Sequence, residues 1–219
     1  MSIDFSTVLP SFPFILEGIS ITLKIVIVSV FFGFVLGTIL ALCKLTKWKS
    51  IKFIADFYTS IFRGTPLVLQ LLLIYYAFPE VSGIQISDFS AAVLTFSLNS
   101  AAYVSEIIRA GILAVDKGQK EAAIALGIPY RKAMMHIILP QAYKNIFPAL
   151  INELISLTKE SAIVTVIGLQ DIMRRAYLVG GDTYSFLEPL LFAGLIYYVM
   201  VMILTILGKL VERKLSYND

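Results

Sequence analysis

The sequence predicts an all-α membrane protein of five transmembrane helices, and three observations carry that reading. Of its 219 residues, 58% are hydrophobic and 15% are charged, against the roughly 45–50% apolar usage of soluble domains. The mean hydropathy is +0.84. The apolar residues gather into five runs of about 20 residues or more, each long enough at ~1.5 Å per residue to cross ~30 Å of hydrocarbon. Lysine and arginine fall unevenly between those runs, as they do where cytoplasmic loops carry the positive charge.

In chain order the spans are Ile19–Cys43, Phe53–Phe78, Phe89–Val115, Ile146–Gly168 and Phe186–Leu210. Residues 1–219 are expected to form a single transmembrane domain, with the termini on opposite sides of the bilayer. Lys44, Lys47, Lys49 and Lys52 follow the first span; Lys117, Lys120, Arg131, Lys132 and Lys144 follow the third; Lys209, Arg213 and Lys214 follow the fifth. Those twelve of eighteen basic residues mark the cytoplasmic side, against Arg174 and Arg175 on the other. The N-terminus is therefore expected outside and the C-terminus in the cytoplasm. The opening MSIDFSTVLPSFPF has no basic residue, whereas a cleavable signal peptide needs a positive n-region; the first span is expected to stay as an anchor. The single cysteine, Cys43, excludes an internal disulfide and a Cys-rich metal site. The net charge of +3 reads as topology, without a nucleic-acid footprint.

The second span contains IFRGTPLVLQ at its middle. Pro66 lacks a backbone donor, its ring clashes with the carbonyl of Phe62, and it pushes Thr65 away from helical angles. The helix should break near Arg63–Thr65 and restart at Pro66, with Thr65 as a cap. Free N–H groups and the positive end of a half-helix dipole would then face the membrane interior, the arrangement with which many transporters hold an amino acid carboxylate. The bland alternative is a proline kink with Arg63 paired to a neighbouring acid.

Ionisable residues inside spans are costly and mark functional candidates. Gly64 and Glu153 each lie ~14–16 Å deep at ~1.5 Å per residue, close to the midplane. Glu153, in PALINELISL, has Ser156 and Leu157 at i+3 and i+4, so it faces something outside its own helix. A permanent anion there needs a cation. A bound guanidinium would match the carboxylate bidentately; an ion pair with Arg63 is the alternative. In the third span Glu106 and Arg109 are three residues apart and pair with each other, while Asn99 is expected to line the pathway. Lys159 and Glu160, near the outer end of the fourth span, read as snorkelling or gating residues, and Ser161 adds a hydroxyl to the candidate site. In GLQDIMRRAYLVGGD, Asp171, Arg174 and Arg175 suggest a surface or gate helix ended by Gly180-Gly181. His136, the single histidine, lies in the cytoplasmic loop. That position excludes bis-histidine ligation and a Ser/His/Asp arrangement at the depth of Glu153.

The longest stretch without spanning character is residues 116–141, DKGQKEAAIALGIPYRKAMMHIILPQ. Ala122, Ala123 and Leu126 can share a helical face. Gly127 suits a left-handed helix end and Pro129 the first turn of the next helix. Two short helices with a tight bend are expected; an amphipathic helix on the lipid surface is the alternative, although such a helix favours bulky apolar residues and a denser basic face.

The spacing Glu121-Ala122-Ala123, three residues, Gly127, nine residues, Ile137, one residue, Leu139-Pro140 matches the cytoplasmic loop signature of bacterial ABC importer membrane subunits. Over its whole length the chain resembles the five-span permeases of the polar amino acid uptake family. Further stretches of resemblance are Arg63-Gly64-Thr65-Pro66 with Gln70, SAAYVSEIIR at 100–109, and Lys159-Glu160-Ser161; the overall pattern is most similar to permeases for arginine and other basic amino acids. The resemblance implies that the loop is a coupling helix, with Glu121, Ala122, Ala123, Leu126 and Gly127 docking on a separate ATP-hydrolysing subunit. It also implies two such subunits, a second permease chain (identical or closely related) and an extracellular binding protein. ATP and Mg would belong to the partner ATPase, because this chain has no GxxxxGK[ST] loop; its Gly208-Lys209 pair is followed by Leu210. The expected substrate contacts are Gly64, Thr65, Asn99, Glu153, Ser161 and Arg63. A permease for other polar amino acids such as glutamine, or a secondary transporter, remains as an alternative. A membrane-embedded enzyme would need His or Cys at the depth of Glu153, where the chain has neither.

Overall fold

The computed structural model describes residues 5, 6 and 8–216. Every regular element among them is helical. A 3-10 turn, Leu9–Ser11, leads into α1 (Phe12–Leu45). Then come α2 (Lys49–Gly64), α3 (Leu67–Ser82) and α4 (Asp88–Leu113). The polar stretch 116–141 forms α5 (Lys117–Ala125) and the start of α6, which covers 130–160. A 3-10 helix, Ser161–Ile167, follows, then α7 (Ile172–Thr183) and α8 (Leu187–Ser216).

Two helices widen to a π turn, at Leu73–Ala77 in α3 and Met134–Ile138 in α6. Each precedes a proline, Pro79 and Pro140. A proline inside a helix clashes with the carbonyl four residues earlier, here Tyr75 and His136, and both carbonyls lie in the widened turns.

Among the described residues, three helices are long and apolar enough to cross a membrane alone: Leu9–Leu45, Asp88–Leu113 and Leu187–Lys214. α2 and α3 qualify only as a pair, meeting at 103°. The expected fourth span, 146–168, is divided: α6 ends at Glu160 and the chain continues as the 3-10 helix to Ile167, where Gly168 turns left-handed at φ +84°. The β-branched run Ile163-Val164-Thr165-Val166-Ile167 loses side-chain freedom in an α-helix, which favours that change.

α1 and α4 form the central pair. Ser29, Gly33, Gly37 and Ala41 recur every four residues on the buried face of α1. A Cβ added to Gly33 would meet Ser100 Cβ at 2.8 Å, and one added to Gly37 would meet Val104 Cβ at 2.7 Å and the Ala101 carbonyl at 2.9 Å. Within lipid, helices associate through such van der Waals contact and have little hydrophobic drive to do so. α6 packs on α4 with Ile146 over Gly111, and α8 packs on α6 with Ile151 over Gly208.

α7 departs from expectation. It runs through Gly180 and Gly181 and ends only at Tyr184, which takes φ 55°. One face wedges between α1 and α8, sharing a core of Val8, Ile15, Ile172, Ala176, Val179 and Ile196, while Tyr177, Gly181 and Asp182 stay exposed. Gly180 is kept small by the Phe186 ring. Asp171 is fully buried as the N-cap of α7, where its carboxylate accepts hydrogen bonds from Arg174 N (2.8 Å), Thr165 Oγ1 (3.2 Å) and Tyr197 Oη (2.9 Å).

Candidate substrate site and coupling loop

Between α2 and α3 the backbone is extended at Thr65 (φ −121°, ψ 148°) and Pro66 (φ −63°, ψ 137°). The break lies where the proline chemistry requires it, and Pro66 precedes α3 as its N-cap residue. Thr65 does not cap α3: its hydroxyl turns back to donate to Ile61 O at 2.8 Å and accepts from Gln70 Nε2 at 2.9 Å. No side chain caps the start of α3, leaving its first N–H groups for another partner. Gly64 faces open space, with nothing within 4 Å of an added Cβ.

Asn99 of α4 reaches the same break. Its amide donates to Phe62 O at 3.1 Å and to Gln70 Oε1 at 3.0 Å, and the residue is only 4% exposed. In this conformation Asn99 therefore serves the break and has little contact with open space. The next residue, Ser100, is buried against Gly33 of α1, and Glu153 lies half-buried on α6, which packs on α4. Ser161 is elsewhere: it is fully buried, donates to Thr158 O at 2.8 Å, and lies beside the Tyr197 hydroxyl.

Arg63 turns away from Glu153. Its Nη1 lies 3.9 Å from Glu106 Oε2 and its guanidinium sits 5.4 Å from the centroid of the Tyr103 ring. Glu106 pairs with Arg109, as its spacing predicts, through Nε at 3.1 Å and Nη2 at 2.8 Å. It also accepts from Lys44 Nζ. Lys44, counted from sequence among the loop charges, is instead 4% exposed and donates to Thr59 Oγ1 at 2.7 Å, with Asp56 at 3.7 Å. One signal in the sequence anticipates this burial: Lys44 falls at helical spacing after Gly33, Gly37 and Ala41, on the buried face of α1. The Glu106 cluster borders an open pocket of about 700 Å³ between α2, α4 and α6, lined by Arg63, Glu106, Gly111, Lys144, Asn145 and Pro148 among others.

The loop folds as two short helices around a tight bend. Asp116 caps α5 by accepting from Gly118 N at 2.7 Å. Gly127 takes φ +67°, and Ile128 N donates to Ala123 O at 2.9 Å, the closure expected of a left-handed helix end. Pro129 stands just before the next helix, which starts at Tyr130. Ala123 does not share an outer face with Ala122 and Leu126. It is buried against the start of α6, to which Gln119 is also tied by Gln141 at 3.2 Å. Glu121 and Ala122 are exposed, and Ile124 (66%), Leu126 (76%) and Tyr130 (68%) project outward. Apolar side chains standing clear of a loop in this way are available for contact with a protein partner or a membrane.

Residues 33–217 match the family described as binding-protein-dependent transport system inner membrane component. The arginine transport system permease protein ArtQ of Bacillus subtilis is 65% identical over 219 residues, covering 100% of both chains. The putative glutamine transport system permease protein GlnP of Rickettsia felis is 52% identical over 209 residues, covering 95% of this chain and 96% of that one. A solved structure of an amino acid ABC transporter with histidines is 45% identical and superimposes with a TM-score of 0.93, covering 98% of this chain and 100% of that one. The MetNI methionine ABC transporter shares the fold, with a TM-score of 0.76 at 21% identity, covering 98% of this chain and 99% of that one.

Proposed function

The chain belongs to the family of binding-protein-dependent transport system inner membrane components, and from that premise we propose that it is the transmembrane subunit of an ATP-driven importer for arginine and other basic amino acids. The observation that carries the site is the 103° break, with Gly64 open at its apex and uncapped N–H groups at the start of α3. The amino acid carboxylate binds at Gly64 and Thr65. The cationic side chain reaches Glu153 on α6, the helix that packs on α4. Arg63 acts from the Glu106 side of the break, and Asn99 supports it from the interior.

The orientation follows the basic loops: N-terminus outside, five passes with α2–α3 as one, and the C-terminus in the cytoplasm of a bacterial plasma membrane. Energy comes from two partner ATPase subunits that bind ATP and Mg. Their closure reaches the helices through Glu121, Ala122, Leu126 and Gly127, with Ala123 seating the loop on α6. Two ATPases need two such loops, so a second permease chain completes the pathway, and a binding protein delivers cargo from outside.

Glutamine is the second reading, favoured by the relative named for it at 52% identity. Glu153→Gln separates the two. Removing a charge-assisted contact of about 1.5–3 kcal/mol weakens arginine uptake about 10–100-fold. In proteoliposomes containing the ATPase and binding protein, arginine uptake is expected to fall by that factor while glutamine uptake changes little. Equal losses for both would assign Glu153 a structural role. Uptake that persists without ATP would assign the protein to secondary transport.

A further inference from the structure

We propose that Gln70, held by Asn99, is the positioning residue that keeps the broken helix in its carboxylate-binding shape. The inference rests on the reading that Gly64 and Thr65 receive the cargo carboxylate. Pro66 deprives the Phe62 carbonyl of its ordinary helical donor, the N–H four residues on. A carbonyl stranded in a membrane interior is costly, and left to itself the chain at this break would find other partners and other angles.

Gln70 supplies what is missing. Its Nε2 lies 2.9 Å from Phe62 O, 3.1 Å from Thr65 O and 2.9 Å from Thr65 Oγ1. Two amide hydrogens thus serve acceptors at the end of α2 and on the extended Thr65. Gln70 sits one turn into α3 and reaches back to the last turn of α2, so a single side chain bridges the two halves. Asn99 fixes that side chain from α4, donating to Gln70 Oε1 at 3.0 Å and adding a second donor to Phe62 O at 3.1 Å. The Thr65 hydroxyl spends its own hydrogen on Ile61 O. The carbonyls and hydroxyl of the break are therefore satisfied by protein, while Gly64 faces open space and no side chain caps the first N–H groups of α3. Gln70 is itself 7% exposed, so it acts on cargo through the backbone it holds.

The test is equilibrium binding to the purified complex of this chain with its ATPase partner, using arginine and agmatine, which is arginine without its carboxylate. Gln70→Met keeps length and volume but removes every donor. The expected result is an arginine affinity about 10-fold weaker with agmatine affinity unchanged. Asn99→Ala is the second variant, expected to weaken arginine about 3-fold with the same selectivity, and it carries the test should Gln70→Met fail to assemble. Unchanged arginine binding in both variants, or equal losses of arginine and agmatine, overturns the proposal. Gly64→Val keeps the underlying reading separate. If it weakens arginine selectively while Gln70→Met does not, the clamp alone fails. If Gly64→Val binds both ligands as the unaltered protein does, the carboxylate site falls and the clamp falls with it.

Discussion

At Glu106, cations from three helices meet one carboxylate: Lys44 of α1, Arg63 of α2 and Arg109 of α4. Burial decides what each contact contributes. The Lys44 side chain is 1% exposed, whereas those of Arg109 and Arg63 are 35% and 45% exposed. Removing one partner of a buried pair leaves an uncompensated charge, costing about 3–5 kcal/mol, while exposed pairs contribute about 0–1 kcal/mol. Glu106→Ala is therefore expected to cost about 3 kcal/mol, the low end because Thr59 and Asp56 still attend Lys44. Arg109→Ala should cost under about 1 kcal/mol. Thermal unfolding of the purified protein compares the two, and equal shifts would show that Lys44 is not the group Glu106 serves. The Glu106–Arg109 pair could be read from spacing alone. Lys44 and Arg63 could not, because their partner lies 62 and 43 positions away on another helix.

At the scale of helices, small residues decide how closely elements approach, and the neighbour decides whether a methyl group is tolerated. A Cβ on Gly18 would come within 2.6 Å of Ile172 N and 2.7 Å of the Asp171 carbonyl carbon. Both are backbone atoms and cannot rotate away. Gly18→Ala should push α7 from α1 and destabilise by about 1–3 kcal/mol. Gly194, inside α8, has nothing within 4 Å of an added Cβ, so Gly194→Ala should stabilise by about 0.5–1 kcal/mol through helix propensity. Opposite signs in the melting temperatures of the two variants check the argument; a loss at Gly194 would show that this face is covered by another chain. The same distinction explains why Gly180-Gly181 misleads as a helix end. Gly180 is small because Phe186 packs on it, and a glycine required for contact has the same letter as one required for a turn.

Across the whole molecule, the proposed substrate site and the proposed coupling loop are separate parts that ATP-driven movement would have to connect. Leu126 projects from the loop, 76% exposed. Leu126→Asp places a charge on the proposed docking surface. It is expected to leave arginine binding intact while lowering ATP-driven uptake at least 10-fold, read as binding and uptake on the same preparation. Loss of both together would mean that the loop supports the fold. The sequence by itself determined the helical membrane class, the break at Thr65–Pro66 and the bend at Gly127. Each follows from local chemistry: apolar run length, a missing proline donor and a left-handed glycine. Only the tertiary structure decided that Arg63 turns to Glu106, that Lys44 is buried, that Asn99 and Gln70 bond across the break, and that one face of α7 packs into the core. Those outcomes depend on how each helix is rotated against its neighbours, which is set by packing between residues far apart in the chain.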